Sequence, residues 1–256
     1  VGEMPVGWLA GMPGEAGREP GRKPGDAIVQ ARGRELGRAA GREILTAGRL
    51  RSALAAELDP IVDAGHPLPG KGMRRAAVLI LLDAADDPAV LLTQRAAHMR
   101  KHAGQVSFPG GSMDPGESEV QAALREAWEE CAIPGEGVQV WGQLPASSLP
   151  VTSFSVTPVV GVWDSALTLE PVASPAEVEA IHLVKVADLA DPANRGSWHR
   201  AAAGREYGGA AFQVGDLVIW GFTAMLLDGL LVVAGWSRPW DTERRIAVPR
   251  RFGGWD

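Results

Sequence analysis

Behind Gly110, residues 111–133 read GSMDPGESEVQAALREAWEECAI, in which the carboxylates Glu117, Glu126, Glu129 and Glu130 surround a single cation, Arg125. Residues three and four apart are neighbours on a helix surface, so the like-charge pairs Glu126/Glu129 and Glu126/Glu130 each cost roughly 0.2–0.5 kcal/mol there. Arg125 offsets part of this through Glu129 and leaves the rest uncompensated. Such a cluster calls for a further cation. Hard divalent ions such as Mg²⁺ are held by a few carboxylates together with substrate phosphates. Gly110 and Gly111 lack a Cβ, which lets the backbone approach a metal or a phosphate closely, and the free N–H groups at the start of the following helix favour an anion. Together these parts describe a site for a metal-bound pyrophosphate.

The helix that carries these groups is delimited by its own residues. Ser118 and Gln121 form a capping box and Pro134-Gly135 closes the far end, which predicts a helix from about Glu119 to Cys131. Val120, Ala123, Leu124, Ala127 and Cys131 recur at core-facing spacing, with Glu126, Glu129 and Glu130 placed on the opposite side. Short apolar runs predict strands at Ala76–Leu82, Val90–Thr93, Val138–Leu144, Val156–Trp163 and Ala180–Val186. The apolar run from Leu217 to Trp236 has the length of a bilayer span. Asp228 at its centre would cost about 2.5–3.5 kcal/mol on insertion, and Gly221, Gly229 and Gly235 interrupt it. A buried helix over about 218–228 and a strand over Leu230–Trp236 are expected instead, with no stable membrane insertion. Strands around few helices give an α+β class, a mixed β-sheet sandwiched between helices in an α/β/α arrangement.

Gly111, Glu117, Arg125-Glu126, Ala127, Glu129-Glu130 and Ile133, at their spacings, resemble the signature box of the Nudix hydrolases. The resemblance implies the Nudix fold over residues 74–256, with 1–73 as an N-terminal extension. It implies hydrolysis of a nucleoside diphosphate linked to another moiety, with water attacking phosphorus and Mg²⁺ or Mn²⁺ as cofactor. Glu126 and Glu130 would be the principal metal ligands, with Gly110 beside the metal and Glu129 as a further ligand or the base. Arg125 would orient the carboxylates, and Glu117 would hold Arg125 or reach a metal through water. Which glutamate is the base varies across the family. Two positions depart from the pattern: Ala132 stands where Gly is usual, and Ala127 where a larger aliphatic is common. Neither is a ligand position, so a slightly altered helix end is expected.

The preceding segment, LLTQRAAHMRKHAGQVSFPGG over residues 91–111, resembles the additional motif of the coenzyme A pyrophosphatase subgroup. The matching positions are Leu91, Leu92, Thr93, Arg95, Arg100, Gly104, Phe108, Pro109, Gly110 and Gly111, with Met99 where Leu is frequent. This implies CoA or acyl-CoA as substrate, cleaved to 3′,5′-ADP and (acyl-)4′-phosphopantetheine. Arg95, Arg100, Phe108 and Gly111 would then bind substrate, and Glu177 would join the site as a carboxylate from outside the helix. Arg95, Arg100 and Lys101 offer cations to a substrate carrying both a pyrophosphate and a 3′-phosphate. His98 and His102 lack a third imidazole or thiolate nearby, and hydrogen bonds within the loop are expected of them in place of zinc. Two other readings stand beside this one: a Nudix enzyme for another diphosphate such as NADH or ADP-ribose, and a non-catalytic Nudix binding module. The complete set of acidic positions counts against the second.

A net charge of −6 over 256 residues supplies no continuous basic surface for nucleic acid. The single cysteine, Cys131, can form no intrachain disulfide, and no signal-peptide pattern is present at the N-terminus, so a cytoplasmic setting is expected. Residues 11–26 are rich in Gly, Pro and charge and read as a flexible segment. Residues 27–58 carry helical apolar spacing broken by Gly33, Gly37, Gly41 and Gly48, each costing roughly 1 kcal/mol in a helix interior. Val1 is compatible with a GTG start or with a truncated sequence. Oligomeric state is not specified by any of these features.

Overall fold

The computed structural model describes residues 72–249 except 86, 100–101, 150–152, 164–170 and 203–204. Arg100, Lys101, the expected flexible segment and the expected helix within 27–58 lie outside the described residues. Eight strands form one mixed sheet: β1 (Arg74–Asp83), β2 (Ala89–Arg95), β3 (Val106–Ser107), β4 (Gly110–Ser112), β5 (Val138–Gln143), β6 (Ser147–Leu149), β7 (Phe154–Trp163) and β8 (Val178–Lys185). β1 and β7 run parallel at its centre, from Arg74 opposite Phe154 to Asp83 opposite Trp163. The other pairings are antiparallel. Among them β4 lies on β1, and β8 lies on β2.

Helices α1 (Glu119–Cys131), α2 (Val186–Ala190) and α3 (Gly221–Val233) complete the layers. β1 reads RRAAVLILLD without polar alternation because both of its faces are covered. Ala77, Leu79 and Leu81 point toward Ala122, Ala123, Ala127 and Cys131 of α1. Ala76, Val78, Ile80 and Leu82 point into a second core that includes Phe222, Leu226, Leu227, Leu230 and Leu231 of α3. The sheet is thus sandwiched between helices, as the alternation of elements predicts.

A three-stranded antiparallel sheet of β9 (Arg195–Ala202), β10 (Arg205–Val214) and β11 (Leu217–Ile219) lies outside the sequence-based expectations. Its two long strands are polar and carry Gly196, Gly208 and Gly209, so neither shows the apolar alternation that marks a strand. β3, β4 and β6 span two or three residues each, too short to leave a period. Two boundaries need correction. Leu217–Ile219 pairs with β10, which delays the helix to Gly221, and the strand expected over Leu230–Trp236 is absent because α3 continues to Val233. Leu226, Leu227, Leu230 and Leu231 keep a helical period across that boundary and are all buried. Asp228, anomalous in so apolar a helix, pairs with the buried Arg195. Among the described residues no helix is long and apolar enough to cross a membrane.

Candidate active site

α1 begins as its residues dictate. Ser118 Oγ accepts from the Gln121 N–H at 3.3 Å, and Gln121 Oε1 accepts from the Ser118 N–H at 2.9 Å. The other end is unusual: Ala132 adopts a left-handed backbone, φ 55°, with its N–H donating to Trp128 O at 2.9 Å. Glycine normally fills this helix-closing position, and an L-residue there costs roughly 1–2 kcal/mol. Ala132→Gly should therefore stabilise the protein by about 1 kcal/mol and raise the melting temperature by about 2–4 °C with turnover kept. A thermal melt showing no change or a loss would remove the backbone-strain explanation.

The glycine pair works at two different contacts. A Cβ on Gly110 would stand 2.6 Å from Ala77 O and 2.8 Å from Val78 Cα, so this glycine lets β4 lie close against β1. A Cβ on Gly111 would stand 1.9 Å from Glu126 Oε1, so this one leaves the notch that the Glu126 carboxylate occupies. The helix thereby brings carboxylates against a side-chain-free stretch of sheet. This corrects the face assignment made from apolar spacing. Glu130, expected on the outer side, is only 5% exposed, while Val120 and Leu124 are partly buried and pack against the core as expected.

Arg125 organises one side of the cluster. Its Nε and Nη2 donate to the two Glu117 oxygens at 2.9 and 3.1 Å, its Nη1 donates to Glu126 at 2.9 Å and Glu129 at 3.2 Å, and Nη2 also reaches Ser112 O at 3.0 Å. The guanidinium holds the Glu117 carboxyl below the usual range. Glu126 is shifted the other way, its carboxyl raised chiefly by burial against the pull of Arg125. Glu130 is pushed up to about 8, first by burial and then by the neighbouring Glu126 charge, with Arg95 opposing. Its Oε2 is buried with no hydrogen-bond partner.

The turn over residues 174–177 ties α1 to the end of β2. Ser174 N–H donates to Glu130 O at 2.9 Å, Glu177 N–H donates to Ser174 O at 3.1 Å, and Ala96 N–H donates to Glu177 O at 2.9 Å. Glu177 is exposed, and its charge acts on both Glu126 and Glu130. Glu129, with a side chain 52% exposed, pairs with Arg125 at i,i+4 spacing. Glu126 is acted on by the charges of Glu129 and then Glu177, and Glu130 by those of Glu126 and then Glu177, so the turn adds a carboxylate to the field of the helix cluster. Phe108 is not a surface for a ligand: it is buried in the larger core with Val106 and Phe222, where it anchors the loop before Gly110. His102 Nδ1 meets Gln105 Oε1 at 3.0 Å within its loop, whereas His98 Nε2 reaches out to Ala176 O at 3.2 Å. Neither the Ser112 carbonyl nor the Ser174 relay could be found from side-chain types, because both act through backbone atoms.

The NUDIX domain model matches residues 73–203, just over half of the chain. The chain belongs to the Nudix hydrolase family. Among the curated relatives, the "Uncharacterized Nudix hydrolase NudL" of Salmonella paratyphi B is 41% identical over 172 residues, covering 63% of this chain and 83% of the relative. The protein of the same name from Salmonella newport matches to the same extent. A solved structure of a C. elegans Ap4A hydrolase binary complex is also similar, at a TM-score of 0.38 and 24% identity over 45% of this chain and 82% of that one. This Nudix hydrolase is thus a pyrophosphohydrolase acting on phosphorus-containing anhydrides.

Nudix hydrolases use divalent cations such as Mg²⁺ or Mn²⁺. Among the described residues no group of three or more acidic, imidazole or thiol side chains is placed to hold a metal ion. The donor set nonetheless fits such an ion. Glu130 Oε2 is a buried acceptor without a donor, and the Gly111 notch sets the Glu126 carboxylate beside the same strand. Both are oxygen donors of the kind that hard cations select.

Proposed function

We propose that this Nudix hydrolase cleaves the pyrophosphate of CoA or acyl-CoA to 3′,5′-ADP and (acyl-)4′-phosphopantetheine. The observation that supports the reading is that residues of the CoA-type motif in segment 91–111, namely Arg95, Gly110 and Gly111, lie beside the acidic cluster. Arg95 at the end of β2 acts on Glu130, and Gly110 and Gly111 supply the strand against which Glu130 and Glu126 lie.

Glu126 and Glu130 would hold Mg²⁺ or Mn²⁺, with Glu177 reaching in from the turn. When bound, the cation neutralises charge on the bridging phosphates and lowers the pKa of water. Arg125 fixes the Glu126 carboxylate from one side, and Glu117 locks Arg125 through a two-pronged ion pair. Glu129, held by one 3.2 Å bond, stays available as a further ligand or as the acceptor of a proton from water. Positioning and electrostatic stabilisation then supply most of the acceleration, as in phosphoryl transfer generally.

A second reading, hydrolysis of another diphosphate such as NADH or ADP-ribose, draws on the same acidic cluster. A kcat/KM panel over CoA, acetyl-CoA, NADH and ADP-ribose with Mg²⁺ and Mn²⁺ separates the two. CoA or its thioester should lead; a panel led by NADH or ADP-ribose would reject CoA in favour of the second reading.

A further inference from the structure

Arg95 is 9% exposed, its Nε is buried without a partner, and among the described residues its guanidinium makes no hydrogen bond or ion pair. Arg195 is also deeply buried with an unpartnered Nε, yet its other donors find partners within the chain. Arg195 pairs with Asp228, donates to Ser237 Oγ at 3.3 Å, and lies 5.1 Å from the Phe212 ring and 4.8 Å from the Trp240 ring. Burying a guanidinium with no acceptor is costly. Among the described residues no acceptor offsets that cost for Arg95.

The local backbone aims this side chain. The β2–β8 ladder shifts register between Gln94, opposite Ala180, and Arg95, opposite Val178. A bulge of this kind re-aims the side chain beside it. Arg95 N–H donates to Gln105 O at 2.9 Å, and the next residue is tied to Glu177 O, so both sides of the segment are pinned. The turn that pins it also binds the Glu130 carbonyl, which sets Arg95 beside the acidic cluster. The Glu130 carboxylate feels the Arg95 charge.

We propose that Arg95 clamps the scissile pyrophosphate itself, offering its unpartnered donors to the oxygens of the phosphate under attack, and does not read a remote phosphate of the substrate. This rests on the hydrolase reading of the site and deepens it. In the step, the oxygen of water bonds to phosphorus and the bridging P–O bond breaks, its electron pair leaving on the departing phosphate. The water proton passes to a carboxylate. Arg95 exchanges no proton, since a guanidinium stays charged throughout, and stabilises the charge that develops.

The test compares CoA with dephospho-CoA, which keeps the pyrophosphate and lacks the 3′-phosphate, on the full chain with Mg²⁺. Arg95→Gln should lower kcat/KM by about 10²–10³-fold on both substrates, mainly through kcat, and leave their ratio within about twofold. Arg95→Lys should recover part of the loss, and neither melt should fall, because an unpaired buried charge has been removed or kept. A loss confined to CoA would make Arg95 a 3′-phosphate reader and overturn the proposal, as would wild-type turnover on both. Should Arg95→Gln fail to fold, the ratio measured for Arg95→Lys decides. If neither CoA is cleaved, ADP-ribose replaces them: an equal loss there upholds Arg95 as the clamp while rejecting CoA as substrate, and unchanged turnover rejects the clamp.

Discussion

Glu130→Gln should abolish turnover and yet leave the metal-free protein more stable than wild type at pH 8. Partners that only orient a metal ligand cost 10–100-fold on removal, so loss of a direct ligand should lower kcat/KM by at least about 100-fold. The stability effect follows from the sign of the Glu130 shift. Its carboxyl is raised from 4.5 to about 8 in the folded protein, so the folded state binds a proton that the unfolded state has released over that window. The stabilisation is complete below about pH 4.5 and is lost as pH rises through about 8. Glutamine keeps the shape and carries no charge to desolvate. Thermal melts in EDTA should show wild type losing stability from pH 5 to 8 and the variant losing less, with Mg²⁺ restoring wild type alone. Equal Mg²⁺ stabilisation of both proteins would remove Glu130 from the metal site.

The two glycines should fail differently. At Gly111 a methyl group meets the end of a flexible side chain, Glu126, which can swing away without disturbing the fold. Gly111→Ala should therefore keep its melting temperature while losing about 100-fold or more in kcat/KM, the loss expected when a carboxylate of the site is displaced. At Gly110 the methyl group meets the backbone of Ala77 and Val78, which cannot yield without parting β4 from β1. Gly110→Ala should cost about 1–3 kcal/mol in stability, the range for overpacking a close contact. Parallel melts and kinetics on the pair check this; an active Gly111→Ala would show that Glu126 does not need its notch.

Most of the helix and its chemistry could be read in the sequence because their signals are local. The Ser118–Gln121 box, the Pro134 stop and the Glu117–Arg125 pairing each depend on residues within one or two turns. What could not be read depends on distant chain segments. Glu130 counts as surface on a helical wheel, yet it is buried, and the group that meets its carboxylate is the backbone of Gly110, twenty residues upstream. Glu177 gains its place from a turn that bonds α1 on one side and β2 on the other. Asp228 argues against a membrane span in the sequence, but its partner Arg195 is 33 residues away and carries no local mark. β9 and β10 hold together by mutual pairing, with too few apolar positions to announce themselves.

The most direct measurement is mass identification of the products formed from CoA by the purified full chain with Mg²⁺. The predicted result is 3′,5′-ADP and 4′-phosphopantetheine in equal amounts, abolished by EDTA and by Glu130→Gln. Intact CoA, or a product that has lost only its 3′-phosphate, would contradict cleavage at the pyrophosphate.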